Sequence, residues 1–132
     1  MYKEVFIKGY YRVSGVFVGP HVVFTNDLRP RAHLWTEDRL VSTTIGKGAS
    51  IGANATIRCG INIGEWSMVA AGSVVTRDVP PHALVMGIPA RIKGWITTDG
   101  SLLDISVENG KNGGTFLCSE TGESVILRNI DE

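Results

Sequence analysis

The side chains best suited to moving a proton in this chain are three histidines, His21, His33 and His82, and the carboxylate of Asp27. A histidine near its ordinary pKa accepts a proton at neutral pH, so each is a general-base candidate. His21 lies in GPHVV and His33 in the charged run PRAHLWTED, while His82 follows Pro80 and Pro81 and reads as structural. Asp27, in FTND, can take up a proton or hold a hydroxyl, and it reads equally well as a solvated turn residue. The histidines stand 12 and 49 residues apart, and Cys59 and Cys118 are far from each other. Neither spacing is that of a metal site or a disulfide framework, which fits a reducing cytoplasm. Arg91 and Lys93 bring positive charge together near the end of a glycine-rich stretch.

These groups must be held by some scaffold, and its sign is a repeat. From Ile45 the chain divides into sixes: IGKGAS, IGANAT, IRCGIN, IGEWSM, VAAGSV, VTRDVP. Six consecutive Ile or Val at fixed spacing arise by chance about once per 10,000 starting positions. The same frame runs back to Phe24 and Val18. Each leading residue is β-branched and is predicted to point inward. The fifth residue is inward and small (Ala49, Ala55, Ser67, Ser73), and the fourth is often a turn former (Gly48, Asn54, Gly60, Gly72, Asp78). A strand of two to three residues plus a tight corner makes one face of a triangular prism, and three faces close a coil. Sandwich strands would instead alternate with period two at irregular spacing.

The frame breaks between Pro30 and Thr44, where fifteen residues replace one hexad. This polar segment is predicted to leave a corner as an excursion loop, and loops on repeat scaffolds often build sites. Position 12 should be aliphatic in frame and is Arg12, so MYKEVFIKGYYR reads as a strand with aromatic residues. Pro80, Pro81 and Pro89 lack backbone donors and are expected to stop the coil. Beyond Ile96, SLLDISV, GTFLCS and ESVILRNI read as β pieces separated by NGKNGG, a hairpin-type connection, and by ETGE. The expectation is an all-β chain. Residues 1–95 form a short parallel β-helix of about three to four coils, with its loop at 30–44, and residues 96–132 form a small β appendage. So short a prism has exposed ends and little core, and a threefold homo-oligomer is the expected remedy. A net charge of zero and a pI near 6.8 give no footprint for nucleic acid. No apolar run is long enough to span a membrane, and no cleavable signal peptide is visible.

VFVGPHVVFTNDLRPRA, TIGKGASIGANATI and AAGSVVTRDVPPHALVMGIPAR resemble the left-handed β-helix acyltransferases, in particular bacterial nucleotide-sugar N-acetyltransferases of lipopolysaccharide and O-antigen synthesis. The resemblance covers about Val16 to Trp95. It implies left-handed coiling, a homotrimer, acetyl-CoA as co-substrate and a nucleotide-linked amino sugar, or another small amine, as acceptor. It places Asn26 on the acceptor amine or a bridging water, in an orienting role because an amide is no base. His21, at a corner, is a candidate base. The resemblance runs the pantetheine arm past Ala71 and Gly72, with Pro89 nearby and Arg91 and Lys93 meeting the phosphates. Trp66, at a corner, points outward as an interface aromatic or packs under the tail.

Two stretches depart from the pattern. Relatives carry further coils before the VFVGP segment, where only about 15 residues stand here. The tail resembles a zinc-ribbon ending, but its cysteine positions read TTDG and CSETG, with only Cys118 retained. One thiolate cannot make a four-ligand site, so no metal is expected and the tail should hold by β-pairing alone. Two other readings remain: a γ-class carbonic anhydrase, which needs a close pair of histidines that is missing, and a non-catalytic trimeric relative serving as a binding module.

Overall fold

The computed structural model describes the backbone of Tyr11–Arg12 and residues 15–130. The strand expected in MYKEVFIKGYYR lies outside the described residues, Tyr11–Arg12 excepted. The strands are very short because each hexad offers only two or three extended residues before a corner. They run β1 (Tyr11–Arg12), β2 (Phe17–Val18), β3 (Val23–Phe24), β4 (Thr43–Ile45), β5 (Ser50–Ile51), β6 (Thr56–Ile57), β7 (Asn62–Ile63), β8 (Met68–Val69) and β9 (Val74–Val75). Every third strand stacks in parallel: β1-β4-β7 on one face, β2-β5-β8 on the second and β3-β6-β9 on the third. The hexad leaders therefore superpose, Val18 on Ile51 on Val69, and Phe24 on Ile57 on Val75.

The inward pattern predicted from the hexads is the one observed. Ile51, Ile57, Val69, Ala49 and Ala55 are fully buried, and Ser67 and Ser73 nearly so. Each buried Ile or Val contributes about 1.5–3 kcal/mol relative to exposure. The Ser67 hydroxyl avoids an unsatisfied burial by donating to Gly64 O at 2.6 Å.

The structure corrects three expectations. The first concerns Arg12. The register sets it against Thr44, the exposed position of β4, and not against Ile45. Six residues separate Arg12 from Val18, whereas seven separate their partners Thr44 and Ile51. Arg12 thus pairs one residue out of the frame that the hexads set. The second concerns Pro80 and Pro81, which do not stop the coil. Val79 bridges Ile63 in parallel, and β10 (Ala83–Gly87) continues the second face by pairing with β8. The prolines occupy a corner between these two rungs, where a missing N–H breaks no ladder. The coil ends a face later, when Gly87–Pro89 reverses the chain into antiparallel β11 (Ala90–Trp95).

The third concerns the tail. SLLDISV is not a strand: Leu102 makes one bridge with Ile96, and the chain then enters a helix, α1 (Val107–Lys111). Ser106 caps it by accepting from Asn109 N at 3.1 Å, a local signal that outweighed the β-rich composition. NGKNGG is the end of that helix and the approach to β12 (Gly114–Leu117), while the hairpin turn to β13 (Ser124–Leu127) is made by CSETG. β-pairing is not the tail's sole anchor. The Trp95 indole donates to Val107 O at 3.2 Å and lies against Gly110, and Leu103, Cys118, Val125 and Leu127 join the same buried cluster as the coil.

The stack tolerates almost nothing between coils. A Cβ on Gly64 would lie 2.3 Å from Pro81 N, against backbone, whereas at Gly72 nothing stands within 4 Å. Gly64→Ala is expected to cost about 1–3 kcal/mol or more. Gly72→Asn should stay within about 0.5 kcal/mol, since asparagine tolerates the left-handed backbone. Urea denaturation of the two variants measures this, and equal losses would contradict the packing described.

Candidate active site

Asn26 and Asp27 follow β3 directly, at the corner from which the long loop departs. Two bonds pin the base of this loop. Val41 N donates to Asn26 O at 2.8 Å, and the Arg39 guanidinium Nε donates to Asp27 Oδ2 at 3.2 Å. Arg29 N donates to Asp27 Oδ1 at 2.8 Å, and Arg39 Nη2 also reaches Arg29 O. The Arg29 N–H, together with the Arg39 guanidinium, holds the Asp27 carboxyl below the usual aspartate value. Asp27 is therefore a committed anion, poorly suited to collecting a proton. Asn26 is exposed, and its carboxamide has no hydrogen-bond partner among the described residues.

His21 sits one corner earlier, between β2 and β3, exposed and with φ +60°. The structure does not bring it to the same corner as Asn26. Asn54 and Gly72 occupy the equivalent corners of the next two coils, and Asn54 N donates to Pro20 O at 3.0 Å. His33 is exposed on a single 3-10 turn of the loop (Ala32–Leu34). His82 is half-buried, and its ring Nδ1 bonds Ile96 O at 2.8 Å, so that nitrogen carries the proton and the ring ties the coil to the tail.

At the far end, Ala71 and Gly72 are exposed on a corner with open space above Gly72. The Gly72 N–H is spent on Ala53 O at 2.8 Å, so it is not available to a pantetheine amide. Pro89 lies exposed in the β10–β11 turn. Arg91 and Lys93 separate in the structure, because the β10–β11 register skips Lys93 at a bulge. Arg91 instead borders a cavity of about 430 Å³ with Arg77 and Lys111, over a floor that includes Val75, Val85 and Ile130. Arg77 and Lys111 escaped sequence reasoning. Arg77 lay inside a repeat and Lys111 in a tail with no visible link to it.

In the tail, Thr98 donates to both oxygens of Glu123, from its N–H at 2.9 Å and from its hydroxyl at 2.5 Å. The TTDG and CSETG turns thus meet through a polar clasp. The Thr121 hydroxyl holds the buried Cys118 thiol below its ordinary value. Among the described residues no three His, Cys, Asp or Glu converge as a metal site.

Residues 42–77 match the hexapeptide repeat of succinyl-transferase. Over this repeat the chain is similar to hexapeptide-repeat acetyltransferases. Over 54 residues it is 63% identical to the dTDP-3-amino-3,6-dideoxy-alpha-D-galactopyranose 3-N-acetyltransferase of Aneurinibacillus thermoaerophilus, covering 41% of this chain and 28% of that one. It superposes on a hexapeptide-repeat acetyltransferase of Vibrio cholerae solved with acetyl coenzyme A (TM-score 0.55, 39% identity, 63% of this chain and 47% of that one). It also superposes on a perosamine N-acetyltransferase mutant of Caulobacter crescentus solved with CoA and GDP-perosamine (TM-score 0.51, 29% identity, 64% and 33%). These neighbours imply left-handed coiling. The hexapeptide-repeat chain spans less than half the length of each of these relatives.

The anchoring of the loop generates a pH dependence. Asp27 has a folded-state pKa below its usual 3.8, so its contribution is present above that value and is lost as pH falls through the lowered one. Asp27→Asn removes it at every pH. Amide exchange at Val41 is expected to accelerate in this variant at neutral pH, relative to the Thr56 amide in the core ladder. Unchanged Val41 protection would show that the ion pair does not hold the loop.

Proposed function

We propose that this chain transfers the acetyl group of acetyl-CoA to the amino group of a nucleotide-linked amino sugar, at the corner marked by Asn26. One observation carries the reading: a carboxamide with no partner among the described residues, held at the base of a doubly pinned loop, beside a carboxylate already consumed in the pinning. An amide so placed can accept from an amine N–H, or from a water bound to it, and so aim the nitrogen lone pair at the thioester.

The neutral amine attacks the thioester carbonyl, forming the C–N bond. The tetrahedral intermediate loses a proton from nitrogen and expels coenzyme A as the C–S bond breaks, and the thiolate ends as the thiol. A deprotonated amine is a strong nucleophile, so a committed Asp27 is no handicap. His21 is the group we assign as proton acceptor, acting across an interface from the Asn26 corner of a neighbouring copy. This requires the homotrimer expected for so short a prism. The exposed Val23, on the third face, suits such packing. Ala71 and Pro89 flank the path assigned to the pantetheine arm. Arg91, with Arg77 and Lys111 beside it, is assigned to the phosphates in preference to Lys93.

Calorimetry with acetyl-CoA tests the first half of this reading. Arg91→Ala should weaken binding about 10- to 100-fold, as expected for a charge-assisted hydrogen bond. Absence of heat at millimolar coenzyme would sink the proposal. Asn26→Ala should lower turnover about a hundredfold through misorientation, with coenzyme affinity unchanged. Coenzyme binding with no product across a panel of dTDP- and UDP-linked amino sugars would favour the non-catalytic module.

A further inference from the structure

Trp66 stands where the fold asks for glycine. The corner between the first and second faces carries Gly15 and Gly48 in preceding coils, at φ +61° and +73°, and Trp66 follows at φ +58°. A bulky side chain in this region of backbone space is strained, and such strain persists only when its surroundings enforce it. Of the other non-glycine residues in this region, Asn54 is accommodated by its intrinsic tolerance and His82 by its bond to Ile96 O, whereas His21 is exposed on its corner. Trp66 has no comparable tie. Its indole N–H has no partner among the described residues, whereas the buried Trp95 donates to Val107 O.

The preceding coil nevertheless makes room for the ring. A Cβ on Gly48 would fall 2.3 Å from Trp66 Cε3 and 2.6 Å from Cδ2, so the indole lies against the Gly48 α-carbon and requires glycine there. The ring does not seal against the tail either. Two hollows of about 450 and 230 Å³ adjoin it, sharing Gly48, Ser50, Trp66 and Thr98. The larger extends to Lys47 and the half-exposed Phe17, the smaller to Ser67, Thr97 and Asp99.

We propose that this hollow binds a neutral pyranose ring, stacked by its C–H face on Trp66. The lining fits that chemistry in two respects. One ammonium, Lys47 on the larger hollow, and one carboxylate, Asp99 on the smaller, balance across the adjoining pair, so together they select neither a phosphate nor a cation. Hydroxyls from Ser50 and Thr98 edge the aromatic surface, and Thr98 retains lone pairs to accept a bond after donating to Glu123. An aromatic platform rimmed by small hydroxyls complements the apolar face and polar edge of a sugar. The site lies on a different edge of the prism from Asn26 and needs no coenzyme, so it stands independently of the acetyl-transfer reading.

Titration of the intact chain with methyl β-D-glucopyranoside and methyl β-D-galactopyranoside, followed by the indole N–H signals, tests this. The Trp66 signal should shift saturably at millimolar sugar, while those of Trp95 and the loop residue Trp35 stay fixed. Trp66→Asn places at this corner the residue that Asn54 supplies one corner on. It should keep or raise Tm, leave acetyl-CoA affinity unchanged and weaken the sugar at least tenfold by saturation-transfer measurement. Ser50→Leu, which fills the hollow from its strand floor and leaves the corner untouched, should weaken it equally. A sugar-insensitive Trp66, or sugar binding undiminished in both variants, would overturn the proposal. So would a lowered Tm in Trp66→Asn without loss of sugar binding, which would make Trp66 a packing residue.

Discussion

At most corners of this prism the backbone passes through the left-handed region, and much of the structure is arranged around that requirement. Gly48, Asn54, Gly60, Trp66 and Gly72 hold φ between +58° and +82° at five successive corners, and His82 holds +62° one corner beyond Arg77–Asp78. Only then do the intervening rungs stack in parallel with Ile and Val superposed. For a residue other than glycine the conformation costs roughly 1–2 kcal/mol, a cost that asparagine reduces by local hydrogen bonding. The rungs themselves pair both above and below, so they cannot admit an insertion without breaking two ladders. Corners can, and the excursion between Asp27 and Ser42 leaves from one. The candidate chemistry of the chain accordingly sits at corners: Asn26, His21 and the Ala71–Gly72 pair.

How much of this was legible in the sequence follows from the same constraint. Between Ile45 and Val75 the corners are regular and every hexad leader is buried, so the fold class and inward set could be read directly. Legibility failed outside that regular stretch. Arg12 looked like a broken repeat because it pairs with Thr44, one residue out of the frame that the hexads set. Pro80 and Pro81 looked like a stop because their cost was reckoned for a strand interior, whereas they fill a corner whose following rung still reaches β8. The tail was misread for another reason. Ser106 caps a helix of only five residues, and so short a helix in VENGK leaves no periodic trace against flanking β-rich segments.

Asn26 and Asp27 show why neighbouring polar residues cannot share one role. Both stand at the loop's departure point, and the sequence offered each as a participant in chemistry. The structure divides them by what the loop needs. Returning to Val41 after a long excursion requires a fixed base, and Arg39 and the Arg29 N–H supply it by engaging both carboxylate oxygens of Asp27. A carboxylate so engaged is neither a ready base nor a ready acceptor. The same contacts hold the backbone of Asn26 still while leaving its side chain out. Asp27 thus positions, and Asn26 is what it positions. Sequence could suggest the pair but not the division, because Arg39 comes from 12 residues away.

The far end of the prism follows a similar logic on a larger scale. Arg91 and Lys93 are two residues apart, a spacing that puts both on one side of a regular strand. The bulge at Lys93 breaks that equivalence, and Arg91 is gathered with Arg77 from the coil and Lys111 from the tail. Of these three cations, Lys111 is paired with Glu108 Oε1 at 3.3 Å, while Asp78, on the rim of the hollow, accepts from Asn62 N at 2.8 Å. Burial of Trp95 against Gly110 docks α1 on the coil end beside these cations. An anion in the hollow would meet Lys111 together with Arg77 and Arg91 only when the tail is docked, and so would bind more tightly to the docked tail than to a displaced one. By thermodynamic reciprocity it would stabilise that docking to the same degree. The appendage is in this way electrostatically part of the coil end, although it contributes no rung to the prism.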